Sequence, residues 1–170
     1  MQQTITQLPE IKLVGITART TNPAEMNPET AKIGATIAKF FQGGYPAKIM
    51  NKENPDVTYA VYTEYAPNFD VSKDEYTYFI GQQVSSFEQV EEGLTTLTIP
   101  AQMYAKFTSE PGQMPKVCID MWYKIWAMNE EALGGQRTFV ADFEVYDSRA
   151  MDPANTVLDI YIGIKDQESA

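Results

Sequence analysis

Glu144 has the clearest chemical use of any residue in this chain. It stands in Asp142-Phe143-Glu144-Val145-Tyr146-Asp147, which alternates strictly. As a strand, this run points Asp142, Glu144 and Tyr146 one way and Phe143 and Val145 the other. A carboxylate buried under helices needs a partner, or it protonates. An organic cation would be such a partner, and aromatic walls would add cation–π attraction. Tyr62, Tyr78, Tyr104, Trp122, Trp126 and Tyr161 are candidates for those walls, with Tyr146 on the strand of Glu144 itself. Trp122 and Trp126 lie at i, i+4 and share a helix face. Met103, Met121 and Met128 could supply adaptable packing. Each feature also has a plainer use: a solvated acid on an open sheet face, a Trp pair in a core, a Met filling a gap. Spacing alone leaves both uses open.

The elements that must position these residues occur twice. Tyr78-Phe79-Ile80-Gly81 near the end of the first half matches Ile160-Tyr161-Ile162-Gly163 near the end of the second. The same offset pairs Ile37 with Ile119, Phe40 with Trp122, Val61 with Phe143 and Tyr62 with Glu144. In the first copy, Ile11 to Arg19 reads as a strand. Asn27-Pro28-Glu29 reads as a helix start, followed by a stripe of Ile33, Ile37, Phe40 and Phe41 that Gly43-Gly44 stops. Val57 to Tyr65 and Glu75 to Val84 read as a hairpin around a turn at 66–70.

In the second copy, Leu94 to Thr108 reads as one long strand, with Pro100 marking an edge or a bend. Gly112 and Pro115 open a helix carrying Val117, Cys118, Met121, Trp122, Ile125 and Trp126, and Gly134-Gly135 ends the region. Thr138 to Tyr146 and Thr156 to Lys165 form the last hairpin. The acidic segment Ser85 to Gly93 joins the copies, and Asp166 to Ala170 reads as a polar, frayed tail. The expected fold is α+β in a single domain over 1–170, with pseudo-repeats at approximately 8–85 and 94–165. Two strand–helix–strand–strand modules would share one antiparallel sheet, with two main helices on one face and the other face more open. A seam between similar halves is a common place for a ligand.

Composition removes several function classes. The net charge of −10 over 170 residues argues against direct nucleic-acid binding, which needs Lys and Arg against phosphates. The same charge attracts cations, and it also simply keeps a protein soluble. There is no histidine, so the commonest general base and metal ligand is missing, and no metal or cofactor is expected. The single Cys118 excludes an internal disulfide and reads as a buried structural thiol. The start Met1-Gln2-Gln3-Thr4-Ile5 does not read as a signal peptide, and no apolar run reaches the ~18 residues of a membrane span. The expected compartment is cytoplasmic. There is no P-loop, GxGxxG, CxxC, HExxH or GxSxG.

Four segments carry a family resemblance over about Leu8 to Lys165. Leu8-Pro9-Glu10-Ile11-Lys12-Leu13-Val14-Gly15-Ile16 resembles the opening of GyrI-like effector-binding domains. These domains occur in AraC-type and MerR-type multidrug regulators, the Rob- and BmrR-like group. Tyr76-Thr77-Tyr78-Phe79-Ile80-Gly81-Gln82-Gln83-Val84 resembles their Y-x-x-F-x-G-x-x-V strand. Ile99-Pro100-Ala101-Gln102-Met103-Tyr104-Ala105-Lys106-Phe107 resembles I-P-A-x-x-Y-A-x-F. Asp142-Phe143-Glu144-Val145-Tyr146 resembles D-F-E-x-Y.

The resemblance implies a Glu144 at the base of an aromatic pocket, pairing with cationic, lipophilic compounds without catalysis. It also implies a stand-alone member, similar to proteins carried on bacterial mobile gene cassettes. Control of transcription would then need a separate DNA-binding partner. A protein-interaction role, as in gyrase-inhibiting relatives, and hydrolysis of electrophilic small molecules are the alternatives. Strand edges leave a homodimer open.

Overall fold

Pro9 and Pro100 shape the sheet. A computed structural model describes residues 1–166 of the chain; most of the expected polar tail lies outside the described residues. Strand β1 (Gln2–Leu8) stops just before Pro9 and β2 (Ile11–Thr21) resumes after it. Likewise β5 (Thr95–Ile99) stops before Pro100 and β6 (Gln102–Thr108) resumes. Proline cannot donate to a ladder, so each long strand bends there. The expected single strand over 94–108 is therefore two. β1 pairs antiparallel with β6 up to Leu8 opposite Gln102, and β2 with β5 from Ile11 opposite Ile99. The remaining strands are β3 (Thr58–Thr63), β4 (Glu75–Gln83), β7 (Ala141–Tyr146) and β8 (Asp159–Ile164).

The order β1-β6-β8-β7-β3-β4-β2-β5 makes one antiparallel sheet. β1 at one end runs straight into β2 near the other end, and β5 at that end runs straight into β6 near the first, so the sheet must curl. Each half thus gains a leading strand, β1 or β5, that pairs with the other half. The halves also meet at mid-sheet, where β3 pairs with β7. There Val61 lies opposite Phe143, its counterpart in the repeat.

The helices are α1 (Asn22–Glu25), α2 (Ile33–Gln42), α3 (Tyr45–Lys48), α4 (Lys116–Trp126) and α5 (Glu130–Leu133), with a 3-10 turn at Ser148–Ala150. Helix α2 starts later than Asn27-Pro28 suggested. Asn27 instead accepts a bond from the Glu29 N–H and closes a turn. The helix is capped from a distance by Glu25, whose carboxylate accepts from the N–H groups of Lys32 and Ile33. An acid there suits the helix dipole. The stripe is also rotated: Thr36 and Phe40 are buried, whereas Ile37 and Phe41 are 36% and 52% exposed. On α4 the buried residues are Cys118, Met121, Trp122 and Ile125, which is one helical face.

The two main helices cover one face of the sheet. Helix α4 packs with Phe107, Ile160 and Ile162, and the α2 side gathers Phe40, Val14, Ile16, Tyr78 and Ile80. The opposite face is not open. The curl closes it over Leu13, Val61, Phe79, Ile99, Tyr104 and Phe143. Among the described residues, no helix is long and apolar enough to cross a membrane.

Candidate functional site

Strand β7 carries Glu144 on the helix-covered face, and the side chain is 4% exposed. Its Oε2 accepts from the Tyr62 hydroxyl at 2.8 Å and from Trp122 Nε1 at 2.8 Å. Its Oε1 accepts from the Tyr146 hydroxyl. Tyr62 comes from β3 across the seam, Trp122 from α4 above, and Tyr146 from two residues along β7. All three donors are neutral. Glu144 takes part in no ion pair among the described residues. The hydroxyls of Tyr62, Tyr78 and Tyr146 are pushed well above their ordinary pKa, first by burial and then by the charge of Glu144. Burial also pushes up the thiol of Cys118, which lies 3.5 Å from the Tyr146 hydroxyl, so it is a poor nucleophile.

Rings continue outward from the carboxylate. Tyr62 meets Trp122 at 5.1 Å, Tyr78 at 5.5 Å and Tyr76 at 5.7 Å between centroids. Trp126 stands 6.0 Å beyond Trp122 and is 44% exposed, so it marks the solvent end of the row. In this structure the indole and phenols fill the seam. A hollow of about 220 Å³ lies by the start of α4, lined by Lys116, Asp120, Met121 and Lys124 among others. A second of about 120 Å³, lined by Thr17, Thr63, Phe79 and Leu97 among others, lies elsewhere. Neither includes Glu144.

Two of the aromatic residues singled out from sequence lie elsewhere. Tyr104 and Tyr161 belong to the opposite face, where both pack on Phe143 at 5.2 Å and 4.7 Å. Burial pushes Tyr104 up to about 12. They cannot touch Glu144, because strand alternation sends Phe143 and Glu144 to opposite sides. Tyr76 was overlooked, although its place two residues before Tyr78 on β4 puts both on one face.

A second buried carboxylate sits one step back on the same face. Asp142 is fully buried. Its Oδ2 accepts from Arg137 Nη2 at 2.6 Å and from the Tyr65 hydroxyl at 2.5 Å, and its Oδ1 from the Gly163 N–H at 2.8 Å. A Cβ on Gly163 would stand 2.7 Å from Gln102 Nε2 and 2.8 Å from Thr138 Oγ1, so those side chains would have to shift to admit one. The Arg137 guanidinium lies 4.3 Å over the Phe139 ring. Phe139 is one corner of a ring cluster in which Tyr65 meets Phe69 at 4.8 Å and Phe139 at 5.5 Å, and Phe69 meets Phe139 at 5.6 Å between centroids. Burial works against the Arg137 charge, but Asp142 and Tyr65 together outweigh it, and the pKa of Arg137 stands above its ordinary value. Arg137 sits in a loop without periodicity, so no pattern in the sequence could have singled it out.

A sequence model of integron-associated effector binding proteins matches residues 4–164. The Bacillus subtilis (strain 168) protein YobU, which carries the name of a transcriptional regulator, is 29% identical over 165 residues, 95% of this chain and 96% of YobU. The integron cassette protein VCH_CASS2, from the mobile metagenome of Vibrio cholerae, has a TM-score of 0.74 at 27% identity, over 96% of this chain and 95% of that one. SAV2435, solved bound to tetraphenylphosphonium, has a TM-score of 0.77 at 16% identity, over 99% of this chain and 97% of that one. This last likeness is one of fold.

Proposed function

Since the chain belongs to the family of integron-associated effector binding proteins, we propose that its effectors are cationic, lipophilic, aromatic small molecules received at Glu144. The fold is the GyrI-like effector-binding fold that the sequence resemblance implied. One observation carries the reading: a buried carboxylate whose three partners, Tyr62, Trp122 and Tyr146, are all neutral. Neutral donors satisfy its lone pairs but leave its charge uncompensated. A cation would compensate it, and the rings of Tyr62, Trp122 and Tyr146 would hold that cation by its face. Trp122 and Tyr62 must give up contacts for this, exchanging hydrogen bonds for a charge pair. The tetraphenylphosphonium held by SAV2435 is a compound of the same chemistry. Binding here is non-catalytic and its role is regulatory, in keeping with the regulator name that YobU carries.

Micromolar affinity corresponds to about −8 kcal/mol, within reach of a mostly apolar ligand of drug size. The test is a titration with a rhodamine-type cation, followed by tryptophan emission. Saturation in wild type that depends on Trp122 and is weakened in Glu144→Gln is the expected result. A saturating response untouched by Glu144→Gln would place the cation elsewhere.

A further inference from the structure

Asp142 and Glu144 lie two residues apart on one face of β7, a separation of about 7 Å. Both are buried, and both take a tyrosine hydroxyl from the other half, Tyr65 and Tyr62 respectively. The Tyr76 ring links those two tyrosines, at 6.2 Å and 5.7 Å. The carboxylates thus share one aromatic floor. Only Asp142 has a cation, Arg137, at 2.6 Å.

We propose that Arg137 fixes the ligand at a single positive charge: by neutralising Asp142 it leaves Glu144 as the carboxylate on this strand face that no cation pairs among the described residues, so the site takes monocations and rejects dications. This rests on the reading that Glu144 receives a cation. A second positive centre brought along β7 towards Asp142 would have to shed its water and would find that carboxylate already paired, while Glu25, which also acts on Tyr76, is engaged by Thr20 and by the N–H groups that open α2. The second centre would also meet the guanidinium, which Asp142 and the Phe139 face hold in place. A unit charge about 7 Å away across an effective dielectric of about 20 is worth roughly fiftyfold in affinity. Water near the surface reduces that, so a tenfold effect is the working expectation. Arg137 acts through Asp142 without touching the ligand; it is a positioning residue for charge.

The experiment compares N-methyl-phenylpyridinium with methyl viologen, which have the same two-ring frame and one or two charges. Calorimetric titrations are made on wild type, Arg137→Lys, Arg137→Met, Asp142→Asn and the double variant Arg137→Met/Asp142→Asn. Folding of each is checked by near-ultraviolet circular dichroism. Wild type and Arg137→Lys should favour the monocation. Arg137→Met should shift the ratio at least about tenfold towards the dication, and adding Asp142→Asn should return it to the wild-type value. A structural role alone would weaken both ligands without changing their ratio. Should Arg137→Met not fold, Asp142→Asn decides: it strands the guanidinium charge and should penalise the dication more than the monocation. An unchanged ratio in whichever of these variants folds overturns the proposal. Equal monocation binding by wild type and Glu144→Gln would instead overturn the reading beneath it.

Discussion

Asp142 meets a cation drawn from its own chain, while Glu144, one step along the same strand face, meets hydroxyls, an indole and, among the described residues, no cation. Their surroundings are otherwise alike: burial, a tyrosine from the opposite half, and a cluster of rings. Arg137 over Phe139 and against Asp142 shows what such a setting holds, a flat cation on an aromatic face paired with a carboxylate. At Asp142 the charge is already balanced within the fold. On the proposed reading, the balance at Glu144 is left to a bound cation.

The sharpest way to break this comparison is through stability. Removing one partner of a buried ion pair strands the other, at a typical cost of about 3–5 kcal/mol. Asp142→Asn and Arg137→Met should each lose that much in urea unfolding. Glu144→Gln strands no cation, and relief of a buried charge offsets weaker hydrogen bonds, so it should stay within about 1 kcal/mol of wild type. Equal losses at both carboxylates would erase the distinction.

Affinity comes next. Glu144→Gln should weaken a lipophilic cation at least about tenfold, or about 1.4 kcal/mol, and leave a neutral analogue of the same rings nearly unchanged. Equal weakening of both compounds in calorimetry would argue against a direct charge pair.

Alkaline pH probes the hydroxyls around Glu144. Tyr62 and Tyr146 have folded pKa values raised well above the ordinary 10.0, by burial first and Glu144 second. The unfolded chain therefore loses these protons first. The stability they protect is full below about pH 10 and is lost as pH rises towards the folded values, by up to about 1.4 kcal/mol per pH unit for each group. Urea midpoints should fall above about pH 10, and Tyr62→Phe should make the fall shallower. The smallest effect should come from Tyr104→Phe: its ring lies on the opposite face, and titration should find cation affinity unchanged.

Much of this arrangement was legible from residue order alone. The repeat paired Tyr62 with Glu144, and the structure joins those two side chains at 2.8 Å across the seam. The hairpins β3–β4 and β7–β8 followed from alternation, and helix α4 from one apolar stripe. The failures share a cause. Alternation says which residues share a face, but not what covers it. Both faces of this sheet are apolar, because bends at Pro9 and Pro100 curl its ends together. Tyr104 and Tyr161 were thus assigned to the wrong side. Arg137 and Tyr65 lie in connections, where placement depends on tertiary contacts rather than on a period. The start of α2 depends on Glu25 reaching forward in space to Lys32 and Ile33, which no local capping pattern reveals.

The central claim concerns where the cation sits. Tetraphenylarsonium carries one heavy scatterer at its charged centre, so anomalous diffraction from a crystal of the complex locates that charge directly. A single arsenic peak is expected beside the Glu144 carboxylate, within about 6 Å of the rings of Tyr62 or Trp122, with the Arg137–Asp142 pair undisturbed. A peak at another place, with Glu144 still bound to Tyr62, Trp122 and Tyr146, would contradict it.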